Sequence, residues 1–349
     1  MNTQPEKVIV FCPNWVGDVV MSTPVFSCLR HNFPEAEITG VIRKYARGVI
    51  EDGPWFDNII DDNDKTSGGF LNIVKLIRNI RPDIAVLLRN SFGSALMARL
   101  GRAKEIYGYK RDGRSLLLTG GPEPVRDRKG IRPLPMSKYY MELCRFLDLR
   151  VPEETRPSLY ISEELSQKGD RLLEKYSIRP GDMVIGMNPG AKFGSSKCWP
   201  VEHFAKLAEL FEKKWACRIM LFAGPGEDDI AGSITRQSSA KIINTAPDRV
   251  DLALLKHMVK RCSLLVTNDT GTRHYAVAFG VPVVVIMGPT DARYTAANLE
   301  QTVVLQKKME CSPCHEKKCP LGHHNCMKMI TPEDVLNGSV ELMEKQGVS

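Results

Sequence analysis

The run Leu264-Leu265-Val266-Thr267, continued by Asn268-Asp269-Thr270-Gly271-Thr272-Arg273-His274, decides the fold. Its first four residues are apolar or β-branched with no polar alternation, the pattern of a strand buried on both faces. Asp-Thr-Gly then turns the chain. Helix formers follow from Tyr275 to Phe279, and Gly280 is suited to a C-cap. A strand that stops and opens a helix in this way belongs to an open parallel sheet. In such sheets ligands bind beyond the carboxyl ends of the strands, and a helix N-terminus favours an anion. The turn is therefore a candidate site for a phosphate-bearing ligand, with Asp269 and His274 beside it. An ordinary turn capped by Asp269 is the alternative.

Outward from this stretch the pattern repeats. A strand expected at 183–187 runs into Asn188-Pro189-Gly190-Ala191 and the loop Lys192-Phe193-Gly194-Ser195-Ser196-Lys197. Pro200 suits the first turn of the next helix, which carries Phe204, Leu207, Ala208 and Phe211. Strands follow at 219–222, ending in Gly224-Pro225-Gly226-Glu227, at 241–244, and at 283–287, ending in Gly288-Pro289-Thr290. All four glycine-marked turns fall at strand ends, which makes a nucleotide site above this sheet physically sensible. Lys197 is the natural cation for a pyrophosphate there, against the plainer reading of a solvated loop lysine.

The first half has the same alternation. Val8-Ile9-Val10-Phe11 is a strand, Pro13-Asn14-Trp15-Val16-Gly17-Asp18 the turn after it, and Val19, Val20, Thr23 and residues 26–29 the apolar side of one helix. Residues 38–42 and 84–88 are further strands, and 70–80 is a helix with Phe70, Ile73, Val74 and Ile77 at helical spacing. Asp18 is either a base for a substrate hydroxyl or the cap of a helix beginning at Val19. Two successive βα arrays imply an α/β protein of two doubly wound, Rossmann-like lobes facing across a cleft. The expected division is a lobe over 1–165, a second over 166–330, and a C-terminal helix over 331–349, opened by the capping signal Thr331-Pro332-Glu333.

Composition excludes several classes. No run of 18 apolar residues occurs, and the N-terminus lacks a signal-peptide core, so the expectation is a cytoplasmic protein. No Gly-x4-Gly-Lys-Ser/Thr occurs, and no Gly-x-Gly-x-x-Gly follows the first strand, which argues against a P-loop NTPase and a nicotinamide dehydrogenase. The net charge of +7 comes mostly from the first 150 residues, where Arg89, Arg99, Arg102, Lys104, Lys110, Arg111, Arg114, Arg126, Arg128, Lys129 and Arg132 face only four acids over 89–132. Such a field attracts anionic partners, unless it is simply a solvated surface. With only Phe92, Tyr107 and Tyr109 interleaved, nucleic acid is a poor partner.

The chain resembles the lipopolysaccharide heptosyltransferase II family, glycosyltransferase family 9. The resemblance rests on Phe11-Cys12-Pro13-Asn14-Trp15-Val16-Gly17-Asp18, Ser22-Thr23-Pro24 and Arg89-Asn90-Ser91-Phe92-Gly93-Ser94-Ala95-Leu96. It extends through Pro189-Gly190-Ala191, Lys197-Cys198-Trp199-Pro200, Asn268-Asp269-Thr270-Gly271 with His274, Gly288-Pro289-Thr290, and the cysteine-rich tail. It implies the glycosyltransferase B fold and inverting transfer of heptose from ADP-heptose to the first heptose of the lipopolysaccharide inner core. Heptosyltransferase I, another core transferase, and a nucleotide-sugar epimerase of the same fold are the alternatives.

By position, the resemblance implies that Asp18 is the general base and that Lys197 binds the diphosphate. Backbone N–H groups of the loop with Lys192, Ser195 and Ser196, and of Thr270, Gly271 and Thr272, would assist. Asp269 and His274 would meet the donor heptose or its phosphates, Glu227 the ribose, and the backbone at Val250 the adenine. Ser91, Arg111 and Arg114 would bind the acceptor, a heptosylated Kdo-lipid A at the inner face of the cytoplasmic membrane, with the enzyme peripheral to that membrane. Arg273 stands where relatives often carry an apolar residue.

No metal or other cofactor is expected in the reaction. Asp62-Asn63-Asp64 spells the Asp-x-Asp of metal-dependent glycosyltransferases, but in a polar loop it reads as a solvated turn. Separately, Cys311-x2-Cys314-x4-Cys319-x6-Cys326, with His315, His323 and His324, has the ligand types of a structural zinc site in an uncommon spacing. Metal, disulfide and packed free thiols all remain open for it.

Overall fold

The computed structural model describes residues 4–63, 66–128, 130–153 and 155–347. Asp64, Lys129 and the last two residues of the helix expected over 331–349 lie outside the described residues. The chain divides into two compact units, Met1–Tyr160 with Arg293–Thr295, and Ile161–Ala292 with Ala296–Ser349.

The first unit runs β1 (Lys7–Phe11), α1 (Val16–Met21), α2 (Thr23–Asn32), β2 (Glu37–Arg43), α3 (Arg47–Ile50), β3 (Asn58–Asp62), α4 (Ser67–Ile80), β4 (Ile84–Leu87), α5 (Phe92–Leu100), β5 (Glu105–Gly108), a short hairpin of β6 (Arg126–Asp127) and β7 (Gly130–Ile131), and α6 (Met136–Phe146). Its five main strands are all parallel, in the order β3-β2-β1-β4-β5. Residues 8–11 of β1 are wholly buried, as the unbroken apolar run requires. On one face Ile9, Phe11 and Leu87 pack against Ile73 and Ile77 of α4 and Ala95 of α5. The single helix expected after β1 is two: the first stops at Met21, and Pro24, which has no N–H to donate, sits in the first turn of the second.

The second unit runs α7 (Glu163–Lys175), β8 (Met183–Asn188), α8 (Val201–Lys214), β9 (Cys217–Leu221), α9 (Asp228–Gln237), β10 (Ile242–Asn244), α10 (Leu254–Lys260), β11 (Leu264–Asn268), α11 (Thr272–Phe279), β12 (Val283–Met287), β13 (Thr302–Gln306), α12 (Asn325–Lys328) and α13 (Pro332–Lys345). Six parallel strands lie in the order β10-β9-β8-β11-β12-β13. In chain order this is 3-2-1-4-5-6, the dinucleotide-binding arrangement, whose order reverses between β8 and β11. Phe204, Leu207 and Phe211 of α8 bury against Ile185, Met187 and Val266 of the sheet. The C-terminal helix joins this core through Val335, Leu342 and Met343, and a capping box between Thr331 and Asp334 closes its N-terminus.

Candidate active site

Two groups of charged side chains sit at the carboxyl ends of the strands of the two sheets. In the second unit, β8 and β11 are neighbours and the chain leaves both at their carboxyl ends. The buried Asn268 amide ties these exits together, donating to the Pro189 carbonyl at 2.6 Å and accepting the Trp199 N–H at 3.1 Å. Asn188, at the end of β8, accepts the Thr272 hydroxyl at 2.8 Å. Neither asparagine is recognisable as a clasp in sequence, because its partners lie about eighty positions away.

Asp269 follows Asn268 and gathers the cations. Lys197 Nζ lies 2.6 Å from Asp269 Oδ2 and 3.0 Å from its backbone carbonyl. The Thr290 hydroxyl donates to Oδ2 at 2.7 Å, and Arg273 Nη1 lies 3.5 Å from Oδ1. Burial alone pushes the Asp269 carboxyl up, but the Lys197 and Arg273 charges and the two hydrogen bonds to Oδ2 outweigh it and bring it down to about 2. Burial, with the Arg273 charge added, pushes His274 down to about 3. His274 is therefore neutral near pH 7 and adds no charge. Two cations and one carboxylate leave a net charge of +1 on this cluster. The first N–H groups of α11 have no acceptor within the helix and add to the positive field. Such a site takes an anion. An ammonium has three N–H donors, and its two contacts with Asp269 engage two of them. Lys197 also lies 5.0 Å from the Phe193 ring centre, which steadies its stem. Thr290 and Arg273 are the site members that the sequence reading left out of its binding set. Thr290 had a usable signal, a turn at the end of the strand next to β11.

The remaining expected donor residues divide. Glu227 accepts the Gly224 N–H at 2.7 Å and lies so close over Gly190 that a Cβ there would come within 2.0 Å of its carboxylate, so any side chain at 190 would displace Glu227. That places Glu227 over the end of β8. Thr270, Gly271 and Thr272 form the β11–α11 turn itself, with Gly271 as N-cap. Lys192 and Ser195 are exposed in the 192–197 loop, and Val250 is half-buried just before α10. Ser196 departs from expectation. It is buried, its hydroxyl donates to the Glu316 carbonyl at 2.5 Å, and its N–H donates to the Lys317 carbonyl at 3.1 Å. Both donors are engaged within the fold, so Ser196 shapes the loop.

In the first unit, Asp18 lies inside the first turn of α1, which begins at Val16 with Trp15 as N-cap. The capping alternative, with a helix starting at Val19, is thereby corrected. Asp18 is half-buried, and after burial its charge is among the causes that raise the Tyr45 and Tyr140 phenols. The Asp-x-Asp reading also changes: Asp62 ends β3 with its side chain fully buried, ion-paired to Arg89 and 3.6 Å from Arg43. A carboxylate closed off by two arginines is no solvated turn. Arg114 is corrected too. Its guanidinium is completely buried, donates to the Tyr109 carbonyl at 2.9 Å, to the Arg89 carbonyl and to Asn90 Oδ1 at 2.9 Å, and burial lowers it to about 10. It braces the strand ends and cannot meet an acceptor as it stands. Arg111 stays partly exposed beside Asp112 at 2.9 Å, and Ser91 caps α5, accepting the Ser94 N–H at 3.2 Å. The basic face of 89–132 thus loses Arg89 and Arg114 to the interior.

Two Rossmann-like units with an anion site of this make define a protein of the glycosyltransferase B fold. Residues 71–325 match the model of glycosyltransferase family 9 (heptosyltransferase), and the chain belongs to that family of glycosyltransferases. It is 29% identical to lipooligosaccharide heptosyltransferase 2 of Haemophilus ducreyi, covering 97% of this chain and 99% of that protein. It is 27% identical to lipopolysaccharide heptosyltransferase 2 of Salmonella typhimurium, covering 98% and 100%. The solved E. coli ADP-heptose lipopolysaccharide heptosyltransferase II superposes with a TM-score of 0.79 at 26% identity, covering 98% of this chain and all of that one. Among the described residues no helix is long and apolar enough to cross a membrane.

Proposed function

We propose that this glycosyltransferase moves L-glycero-D-manno-heptose from ADP-heptose to the first heptose of the lipopolysaccharide inner core, inverting the anomeric centre. The observation that carries the proposal is the net-positive cluster of Lys197, Asp269, Arg273 and Thr290 at the reversal point of the second sheet. A leaving diphosphate needs positive charge held in place before the bond breaks, and this cluster is held by partly buried hydrogen bonds and ion pairs. Lys197 and the N–H groups of the Thr270–Thr272 turn take the diphosphate, Glu227 the ribose, and the chain at Val250 the adenine. His274, neutral, offers a hydrogen bond to the sugar or its phosphate. Asp18 takes the proton of the attacking acceptor hydroxyl, and Ser91 and Arg111 bind the acceptor. The reaction needs no cofactor in this scheme, because charge stabilisation comes from the protein. The exposed cations of 89–132 suit a phosphorylated lipid-linked acceptor and work at the inner face of the cytoplasmic membrane.

Purified protein supplied with ADP-heptose and acceptors bearing no, one or two heptoses tests this. Product is expected from the acceptor with one heptose. Product only from the heptose-free acceptor contradicts the assignment, and donor turnover without any acceptor points to an epimerase.

A further inference from the structure

Residues 307–324, between β13 and α12, carry neither helix nor strand. An irregular segment of that length is uncommon in a compact domain unless something holds it. Yet the rest of the second unit leans on this one. Besides the two bonds from Ser196, the His324 ring lies 2.8 Å from the Ser196 carbonyl through Nε2. The Ser312 hydroxyl donates to the Gly288 carbonyl at 2.5 Å, and the His315 N–H donates to the Pro289 carbonyl at 2.8 Å. The segment thus grips both turns that flank Lys197 and Thr290. Little apolar burial supports it. From Glu310 to His324 the one aliphatic residue is Leu321, and it is 62% exposed.

What the segment does have is sulfur. Cys311, Cys314, Cys319 and Cys326 line one small cavity together with His323 and His324. The four are free thiols, three of them half-buried and Cys326 buried. Cys319 Sγ accepts the His324 N–H at 3.4 Å, and the Gly322 N–H donates to the Cys319 carbonyl at 3.2 Å, so a tight turn wraps this sulfur. A backbone amide on a sulfur is what a metal-bound thiolate uses to spread its charge. The histidines are less available. His324 Nε2 faces Ser196, and His323 Nδ1 accepts the Asn325 N–H at 3.0 Å. Among the described residues no three His, Cys, Asp or Glu side chains are grouped closely enough to hold an ion. The four thiols line the cavity, so binding one would require them to move inward.

We propose that Cys311, Cys314, Cys319 and Cys326 form a tetrathiolate site for a soft divalent cation of the zinc class, which staples the 311–326 segment onto the 194–197 and 288–290 turns. Four sulfur ligands in a closed tetrahedral set define a structural site with no open position for catalysis. Each thiol gives up its proton as it binds, so uptake releases protons and weakens in acid.

The test uses the full chain, reduced and stripped of metal, then titrated with zinc chloride or cadmium chloride. Stoichiometric uptake is expected, with a cadmium–thiolate absorption band and protection of these four cysteines from alkylation mapped on peptides. Cys198 and Cys217, half-buried elsewhere, should react as before. Hydrogen exchange at 194–197 and 288–290 should slow on zinc addition in the wild type and stay unchanged in Cys319→Ser. Unprotected thiols in the wild type overturn the proposal whether or not any variant folds. So does a disulfide among the four that persists in the cell-derived protein and re-forms in preference to metal uptake.

Discussion

Both units place a carboxylate among cations at the carboxyl ends of their parallel strands, and the two clusters differ in reach. In the first unit Asp62 and Arg89 are sealed, their side chains 0% and 2% exposed. In the second, Asp269 and Lys197 keep 11% and 13% of their side-chain surface. A sealed pair has satisfied its charge within the fold and holds strand ends in place. A pair that keeps some surface, with Arg273 as a second cation beside its carboxylate, keeps a field for a ligand. Similar residue types thus make a structural lock in one unit and an anion site in the other, and burial decides which.

Substitutions can break this contrast. The largest effect expected is on chemistry: Asp18→Asn should lower turnover by about 10²–10⁴ while leaving ADP affinity unchanged. Steady-state rates beside calorimetric ADP binding check it, and undiminished turnover would move the base elsewhere. Next, Asp62→Asn should cost about 3–5 kcal/mol of stability, because two arginines stay behind without their shared carboxylate. Urea denaturation measures this, and a change within error would mean the first cluster is not a lock. Smaller is a pH effect at His274. Its folded-state pKa lies below that of the unfolded chain, so its stabilisation is complete above the ordinary histidine range. As pH falls below that range, protons bind the unfolded state first and stability drops toward the folded value of about 3. The slope expected is about 1.4 kcal/mol per pH unit between about pH 6 and 4.5. His257 is also lowered by burial, so the difference between wild type and His274→Gln isolates the His274 part. Parallel pH curves for the two proteins would contradict it.

The architecture was legible because central parallel strands are continuous apolar runs, and β1, β8, β11 and β12 are of that kind. Edge strands were less so: β10 was expected at 241–244. The other three were missed, since β3 ends in Asp61-Asp62, β5 is four residues long, and the short apolar run of β13 ends in the exposed Gln306. The second-unit site was legible for the same reason as its strands, since Lys197 and Asp269 sit at turns that a parallel sheet must place together. Burial of charge was not legible. Asp62 looks solvated among Asp61, Asn63 and Asp64, and only its pairing with Arg43 and with Arg89, 27 residues on, reveals otherwise. Arg114 reads as one of a basic run, but its partners are carbonyls that sequence does not mark. The grip of Glu316 and Lys317 on Ser196 spans about 120 positions, and no local pattern encodes it.

The most direct measurement is calorimetric ADP binding to wild type, Asp18→Asn and Lys197→Ala in one buffer. A charge-assisted hydrogen bond contributes about 1.5–3 kcal/mol, so Lys197→Ala should bind ADP about 10- to 150-fold more weakly, while Asp18→Asn binds as the wild type does. Equal ADP affinity in Lys197→Ala and wild type would contradict the assignment of the second-unit cluster to the diphosphate.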